Sequence, residues 1–368
     1  MNYSPIKLTA IFTVVIALIL APPVRAMNIN VTYDASVTSA TNSAQIQTGF
    51  NAAAQYIQNL YTNNITINIT VYWGSYGPFA GGVGFGSSDT TFVGTFTYAA
   101  LTNALRNSRT TLSDSNAVAS LPATDPIDGN LWWLPRAEAK ALGLGSPNVQ
   151  ANDSNLDGSV GFGTNFNFTF DPTNRAISGK YDFIAVAEHE ITEVMGRVYF
   201  DLSTTFVPYD LFRFSGPGVR TFSTTAPSVY FSVDNGVTNL RNFNPVQSSG
   251  DLTDWALSGA ADCCDYQIGS AKKPVLSFAD MTALDVIGYK LNYSTPKLAG
   301  VKSGTNFVLS FTNTPGSTYT LLATTNLALT ISNWPTLGTI TDSVPGQFQI
   351  TDTQAATNKL RYYRARLN

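Results

Sequence analysis

A single histidine, His189, stands among the 368 residues, and two glutamates follow it at short spacing in His189-Glu190-Ile191-Thr192-Glu193. On a helix, residues four apart share a face, so His189 and Glu193 point the same way. Glu190 is rotated by about 100° from His189, to the side of that pair. This is the geometry of the H-E-x-x-H metal helix, in which two side chains hold an ion and the glutamate activates a water. Here Glu193 stands where the second histidine would be, and carboxylate oxygen also ligates zinc, at about 2.0–2.2 Å. The competing reading is a surface helix with a solvated polar face and His189 paired to a neighbouring acid.

The surrounding residues are those a helix needs. Asp182 can cap its N-terminus, where a carboxylate also suits the helix dipole. Ile184, Ala187, Ile191, Val194 and Met195 make an apolar stripe opposite the His189/Glu193 face. Gly196 offers a stop or sharp turn, and Arg197 suits the C-terminal end. One face should therefore pack into a core while the other presents imidazole and carboxylates.

Composition excludes several functions. Charged residues are 12 % of the chain and the net charge is −3, so no basic stripe is present for nucleic acid. Lys7, the apolar run from Leu8 to Ala21 and the small residues around Val24-Arg25-Ala26 read as a secretory signal over residues 1–26. Elsewhere no stretch approaches the ~20 apolar residues of a membrane span, which predicts a secreted, extracellular mature chain. The glycine-rich stretch from Gly74 to Gly86 lacks the Gly-Lys-Ser/Thr of a phosphate loop and reads as a connecting loop. Cys263 and Cys264 are adjacent, without zinc-ribbon spacing. A vicinal disulfide, an intermolecular bridge and a pair of free thiols all remain open for them.

Strands are predicted at Ile29–Tyr33, Ile65–Trp73 and Phe92–Tyr98, and around Asp157–Gly163 and Phe166–Asp171. Apolar residues recur at helical spacing from about Ser43 to Tyr61, and further helices are expected over Tyr98–Arg106, Leu131–Leu142 and Leu276–Tyr289. A linker is expected from Ala117, interrupted by Pro122 and Pro126. Together these predict a mixed α+β domain over 27–292 that carries the motif helix. From about Thr295 the composition shifts to short alternating strands at Asn306–Asn313, Ser317–Thr325, Gln347–Thr351 and Leu360–Leu367. Residues 293–368 are thus expected to form a small β-sandwich, with Trp334, Tyr362 and Tyr363 in its core.

Three blocks carry a resemblance: Tyr181 to Arg197, Tyr209-Asp-Leu-Phe-Arg-Phe-Ser215 and Asp280-Met-Thr-Ala-Leu-Asp-Val-Ile-Gly-Tyr289. Tyr230–Gly236 and Gly250-Asp-Leu-Thr-Asp-Trp255 add to it. Over roughly Asn28 to Leu291 the chain resembles a family of secreted bacterial metalloproteases of the H-E-x-x-E kind, itself similar to the metzincin clan. The metzincin motif places a third ligand three residues after the glycine, which here is Tyr199. The resemblance implies a twisted sheet with the motif helix behind it, and a zinc-dependent endopeptidase acting on polypeptide substrates. Its ligands would be His189 and Glu193, with Asp210 as the third and Asp201 next in line. Glu190 would be the general base, and Tyr209 or Tyr199 would donate to the oxyanion. One imidazole with two carboxylates also admits manganese, iron or calcium. The last residues resemble C-terminal modules of secreted bacterial proteins, which implies a cell-surface or polysaccharide contact. The alternative is a catalytically degenerate binding or adhesive protein on a protease scaffold.

Overall fold

The computed structural model describes residues 27–129, 131–145, 149–198, 205–226, 228–245, 250–259, 261–292, 297–313, 318–330, 333–341, 347–358 and 360–367. The expected leader, Tyr199 and Asp201 lie outside the described residues, as does the 293–296 junction. Among the described residues no helix is long and apolar enough to cross a membrane.

The region up to residue 292 is mixed α+β with several sheets. It begins β1 (Asn28–Tyr33), α1 (Ala35–Thr38), α2 (Ser43–Leu60), β2 (Thr66–Trp73), β3 (Gly86–Thr90) and β4 (Phe92–Phe96). There follow α3 (Tyr98–Ser108), α4 (Leu112–Ser120), β5 (Trp132–Pro135), α5 (Arg136–Leu142), β6 (Gly158–Phe162), β7 (Phe168–Thr169), β8 (Tyr181–Asp182) and the motif helix α6 (Phe183–Val194). The main sheet runs β1-β2-β6-β3, with β1, β2 and β6 parallel and β3 antiparallel at the edge. β1 and β2 are joined through α2, as a parallel pair requires. Ile46, Phe50, Ala53 and Ile57 of α2 are fully buried, the helical periodicity seen in the sequence. The Phe162 ring of β6 lies 6.1 Å from Phe50 of α2 and 4.5 Å from Phe183 of α6, so both helices pack on one aromatic anchor.

Two sequence expectations are corrected here. Gly86–Thr90 is a strand rather than the end of a loop. Its small polar residues carry no alternating pattern, and pairing with β6 together with contact from α6 makes it extended. Leu131–Leu142 is not one helix. Trp132 and Leu134 are buried while Trp133 is exposed, the two-residue alternation of a strand, and the helix starts only after Pro135. α4 also occupies the start of the expected linker.

α5 is held to the sheet by buried ions. Asp157, at the head of β6, accepts from Arg136 Nη1 at 3.1 Å and from Lys140 Nζ at 2.6 Å. The same carboxylate accepts from the backbone N–H of Asn68, at 2.7 Å.

After α6 come β9 (Arg213–Gly216), β10 (Val219–Arg220), β11 (Tyr230–Phe231) and β12 (Arg241–Asn242), which pair as β10-β9-β11-β12. The unit ends in α7 (Phe278–Val286), capped by Ser277. Its last residues return to the end of α2. Thr62 N–H donates to Lys290 O (2.8 Å), Asn63 Nδ2 to Gly288 O (3.0 Å) and Asn292 N–H to Leu60 O (2.7 Å).

The C-terminal region is all-β: β13 (Ala299–Ser303), β14 (Asn306–Thr312), β15 (Thr318–Thr324), β16 (Thr336–Thr341), β17 (Gln347–Asp352) and β18 (Tyr362–Leu367). They form two three-stranded antiparallel sheets, β13-β14-β17 and β16-β15-β18. Phe311, Tyr319, Leu321 and Phe348 make a separate apolar core. Trp334, Tyr362 and Tyr363 are only half-buried; Tyr363 instead stacks on Phe307 and donates to Asp352 at 2.8 Å.

Candidate metal centre

α6 is fixed from both ends. The Asp182 carboxylate accepts from the N–H groups of Ile184 (3.1 Å) and Ala185 (3.4 Å), and also from Arg175 Nε at 2.7 Å. At the far end Gly196 has φ +122°, a backbone that side-chain-bearing residues rarely adopt, and it turns the chain so that Arg197 comes back under the helix. Unlike a solvated surface helix, α6 is buried nearly all round, with Glu188, Glu190 and Glu193 each at most 5 % exposed. That burial removes the solvated-face reading.

His189 presents Nε2 to two carboxylates, Glu193 Oε1 and Asp254 Oδ1, each at 3.3 Å. Its Nδ1 faces the Cys263 carbonyl at 2.8 Å. A carbonyl only accepts, so Nδ1 carries the proton and Nε2 is the nitrogen turned to the carboxylates. One ligand atom each from His189, Glu190 and Glu193 lies within 4.8 Å of the others. Ser88 Oγ of β3 donates to Glu193 Oε2 at 2.8 Å and fixes that carboxylate. Arg197 lies behind both acids, with Nη1 3.1 Å from Asp254 and Nη2 3.5 Å from Glu193.

Glu190 borders this network. Its Oε2 is buried and has no hydrogen-bond partner. Its Oε1 lies against Gly86 of β3, where an added Cβ would come within 2.3 Å of it. A strand residue with any side chain would displace the carboxylate. These groups open on a cavity of about 340 Å³, lined also by Phe85, Val186, Asp251, Tyr266 and Ile268.

The charges follow from this packing. Burial opposes a charged imidazole, yet Asp254 and Glu193 outweigh it and hold the His189 pKa well above its usual value. Burial also works against ionised Glu193 and Asp254, but His189 and Arg197 keep both below the usual carboxylate range. Glu190 is pushed well up, first by burial and then by the Glu193 charge beside it. Asp251, at the cavity wall, is raised to about 6 by burial and by Glu193 and Asp254.

His189, Glu190 and Glu193 form a group that could hold a divalent ion, and Asp254 Oδ1, 3.3 Å from the same imidazole nitrogen, adds a further carboxylate; the orphaned buried oxygen of Glu190 is what a water held there would satisfy. His189, Glu190 and Glu193 are brought together as their spacing predicts. Asp210 and Tyr209 are not. Residues Pro208–Phe212 form a buried 3-10 turn in which Asp210 Oδ2 accepts from the Val207 N–H at 2.9 Å. Tyr209 packs its ring against Phe231 and Phe243, at 5.9 and 5.8 Å, away from the cavity lining.

The acid beside His189 is Asp254, within the Gly250–Trp255 block. Trp255 is fully buried and its indole N–H donates to Asp280 of α7, which turns the preceding Asp254 toward the imidazole. The tyrosine that lines the cavity is Tyr266. The sequence matches no protein-family model, no curated protein and no solved structure.

Proposed function

We propose that the protein is a zinc-dependent endopeptidase with His189, Glu193 and Asp254 as metal ligands and Glu190 as general base. One observation carries the reading. The imidazole Nε2 stands 3.3 Å from each of two buried carboxylates, while a third carboxylate next to it keeps a free buried oxygen. His189, Glu193 and Asp254 would hold a divalent ion, which when bound would supply Lewis-acid polarisation of a scissile carbonyl and a more acidic water. The Cys263 carbonyl holds the imidazole in the tautomer that offers Nε2. Ser88 and Arg197 orient the two acids. Glu190, with its free buried oxygen beside the site, would take the proton of the attacking water and return it to the leaving amine. Tyr266, which lines the cavity, is the tyrosine proposed to donate to the developing oxyanion.

The substrate class follows from the edge of the main sheet. β3 pairs with β6 on one side only, and Gly86, Ser87 and Ser88 line the cavity. An extended peptide can add to that edge by backbone hydrogen bonding and pass beside His189. Metzincin-like membership and export belong to this same proposal, supported by the motif and by the apolar leader run.

The deciding experiment combines elemental analysis with casein cleavage for wild type, Glu190→Gln and His189→Ala. The expected result is metal in wild type and Glu190→Gln, none at this site in His189→Ala, and a rate for Glu190→Gln lower by roughly 10²–10⁴. A second reading rests on Arg197, which already supplies a counter-ion to Glu193 and Asp254. On that reading the cluster is a metal-free ion network, and wild type would bind no ion at His189 and cleave nothing.

A further inference from the structure

The adjacent cysteines, which no zinc-ribbon pattern explains, meet two carboxylates in the fold. Asp262, Cys263 and Cys264 lie in the segment between Trp255 and α7, and Asp280 lies in the first turn of α7. One ligand atom from each of the four lies within 4.8 Å of the other three. All are interior: both cysteines and Asp280 are 0 % exposed and Asp262 is 3 % exposed. The two Sγ atoms are 3.7 Å apart. Two thiolates on one tetrahedral zinc, each at about 2.3 Å, stand about 3.8 Å from one another.

A second observation points the same way. Asp262 Oδ2 is buried and has no hydrogen-bond partner; Arg241, at 3.5 Å, is the cation beside it. Its other oxygen is already fixed, since Oδ1 accepts from the Cys264 N–H at 2.8 Å. Asp280 is positioned too, by Ser277 and by the Trp255 indole. Two thiols and two carboxylates enclosed in this way are a donor set that a cation can fill.

We propose that Asp262, Cys263, Cys264 and Asp280 form a second, structural site for a thiophilic divalent ion, zinc first among them. Binding forms two metal–sulfur and two metal–oxygen bonds and releases the two thiol protons, giving a closed four-ligand site with no position for substrate. Its role is to hold the segment whose Cys263 carbonyl orients His189 and whose Asp265 and Tyr266 wall the cavity. This site does not depend on peptidase activity.

The test uses the full-length protein loaded with Co²⁺ in place of zinc, read by near-ultraviolet thiolate-to-cobalt charge-transfer absorption and by metal content. Wild type should bind about two ions per chain and show the band, as expected for cobalt on cysteine sulfur. His189→Ala should lose one ion and keep the band. Cys263→Ser/Cys264→Ser should lose the band and the ion it reports. Should that double variant not fold, wild type decides alone. Cobalt-loaded wild type without the band overturns the proposal, as does a Cys263–Cys264 disulfide in peptides from protein purified without chelator. Either result leaves the His189 centre standing, because that centre is judged by the His189→Ala difference.

Discussion

Arg197 holds two carboxylates that a metal would also want, and the contest shows at single residues. Removing Asp254 takes away a ligand and leaves Arg197 with Glu193 alone, so Asp254→Ala should lower bound metal at the His189 centre to near zero by elemental analysis. Asp210→Asn should keep the metal, because Asp210 serves as the cap of the Val207 N–H. Loss of metal in Asp210→Asn with retention in Asp254→Ala would reverse the assignment. Protons compete for the same groups. In metal-free protein the raised His189 pKa gives stability that is present below about pH 6.5 and lost as pH rises through the folded value. Burial raises the carboxyl pKa of Glu188 and Asp210 to about 7 and of Asp285 to about 8. The folded state therefore holds protons that the unfolded chain gives up above about pH 4, and this too weakens the fold as pH climbs. Glu193 and Asp254, held low, act only under more acid conditions. Chelator-treated protein should thus melt at a lower temperature at pH 8 than at pH 5. Added zinc should close much of that gap, since the ion binds the deprotonated ligands. An apo melting temperature that rises between the two pH values would contradict this.

At the level of elements, the centre is a contact between one helix and one edge strand. β3 approaches α6 closely enough that Gly86 leaves room for Glu190 and nothing larger. Gly86→Ala should cost about 1–3 kcal/mol of stability through crowding. It should also cut cleavage far more than that loss of fold would, because the displaced group is the proposed base; activity near wild type would disprove the role given to Glu190. Legibility in the sequence divides along the same lines. α2 is readable because burial there repeats every turn, and α6 because its apolar residues recur at helical spacing and Asp182 is a side chain that caps. β3 was not, since Gly-Ser-Ser-Asp-Thr carries no pattern and becomes a strand only by pairing with β6. The first two proposed ligands share one helix and are fixed by local geometry. The third acid comes from a distant segment, and its aim depends on how Trp255 packs under α7, which no spacing encodes. Asp210 looked equivalent because the sequence does not show that Pro208–Phe212 coils inward.

Across the whole molecule, two apolar cores are formed by different parts of the chain, one within residues 27–291 and one within the C-terminal strands. A truncation after Asn292 should keep the first core, its metal and its cleavage, with its own cooperative melt in calorimetry. Loss of that transition on truncation would show that the C-terminal strands are needed to complete it. The cut cannot come much earlier, because Leu60, Thr62 and Asn63 are hydrogen-bonded to Gly288, Lys290 and Asn292. That closure has a kinetic consequence. Its partners are separated by well over two hundred positions, with |i−j| = 225 for Asn63 and Gly288, and such distant pairings slow folding. The end of α2 emerges early in synthesis but waits for nearly the entire unit before its last hydrogen bonds can form. During synthesis the end of α2 therefore stays unclosed until residues 288–292 have been made, and the first core is completed only then.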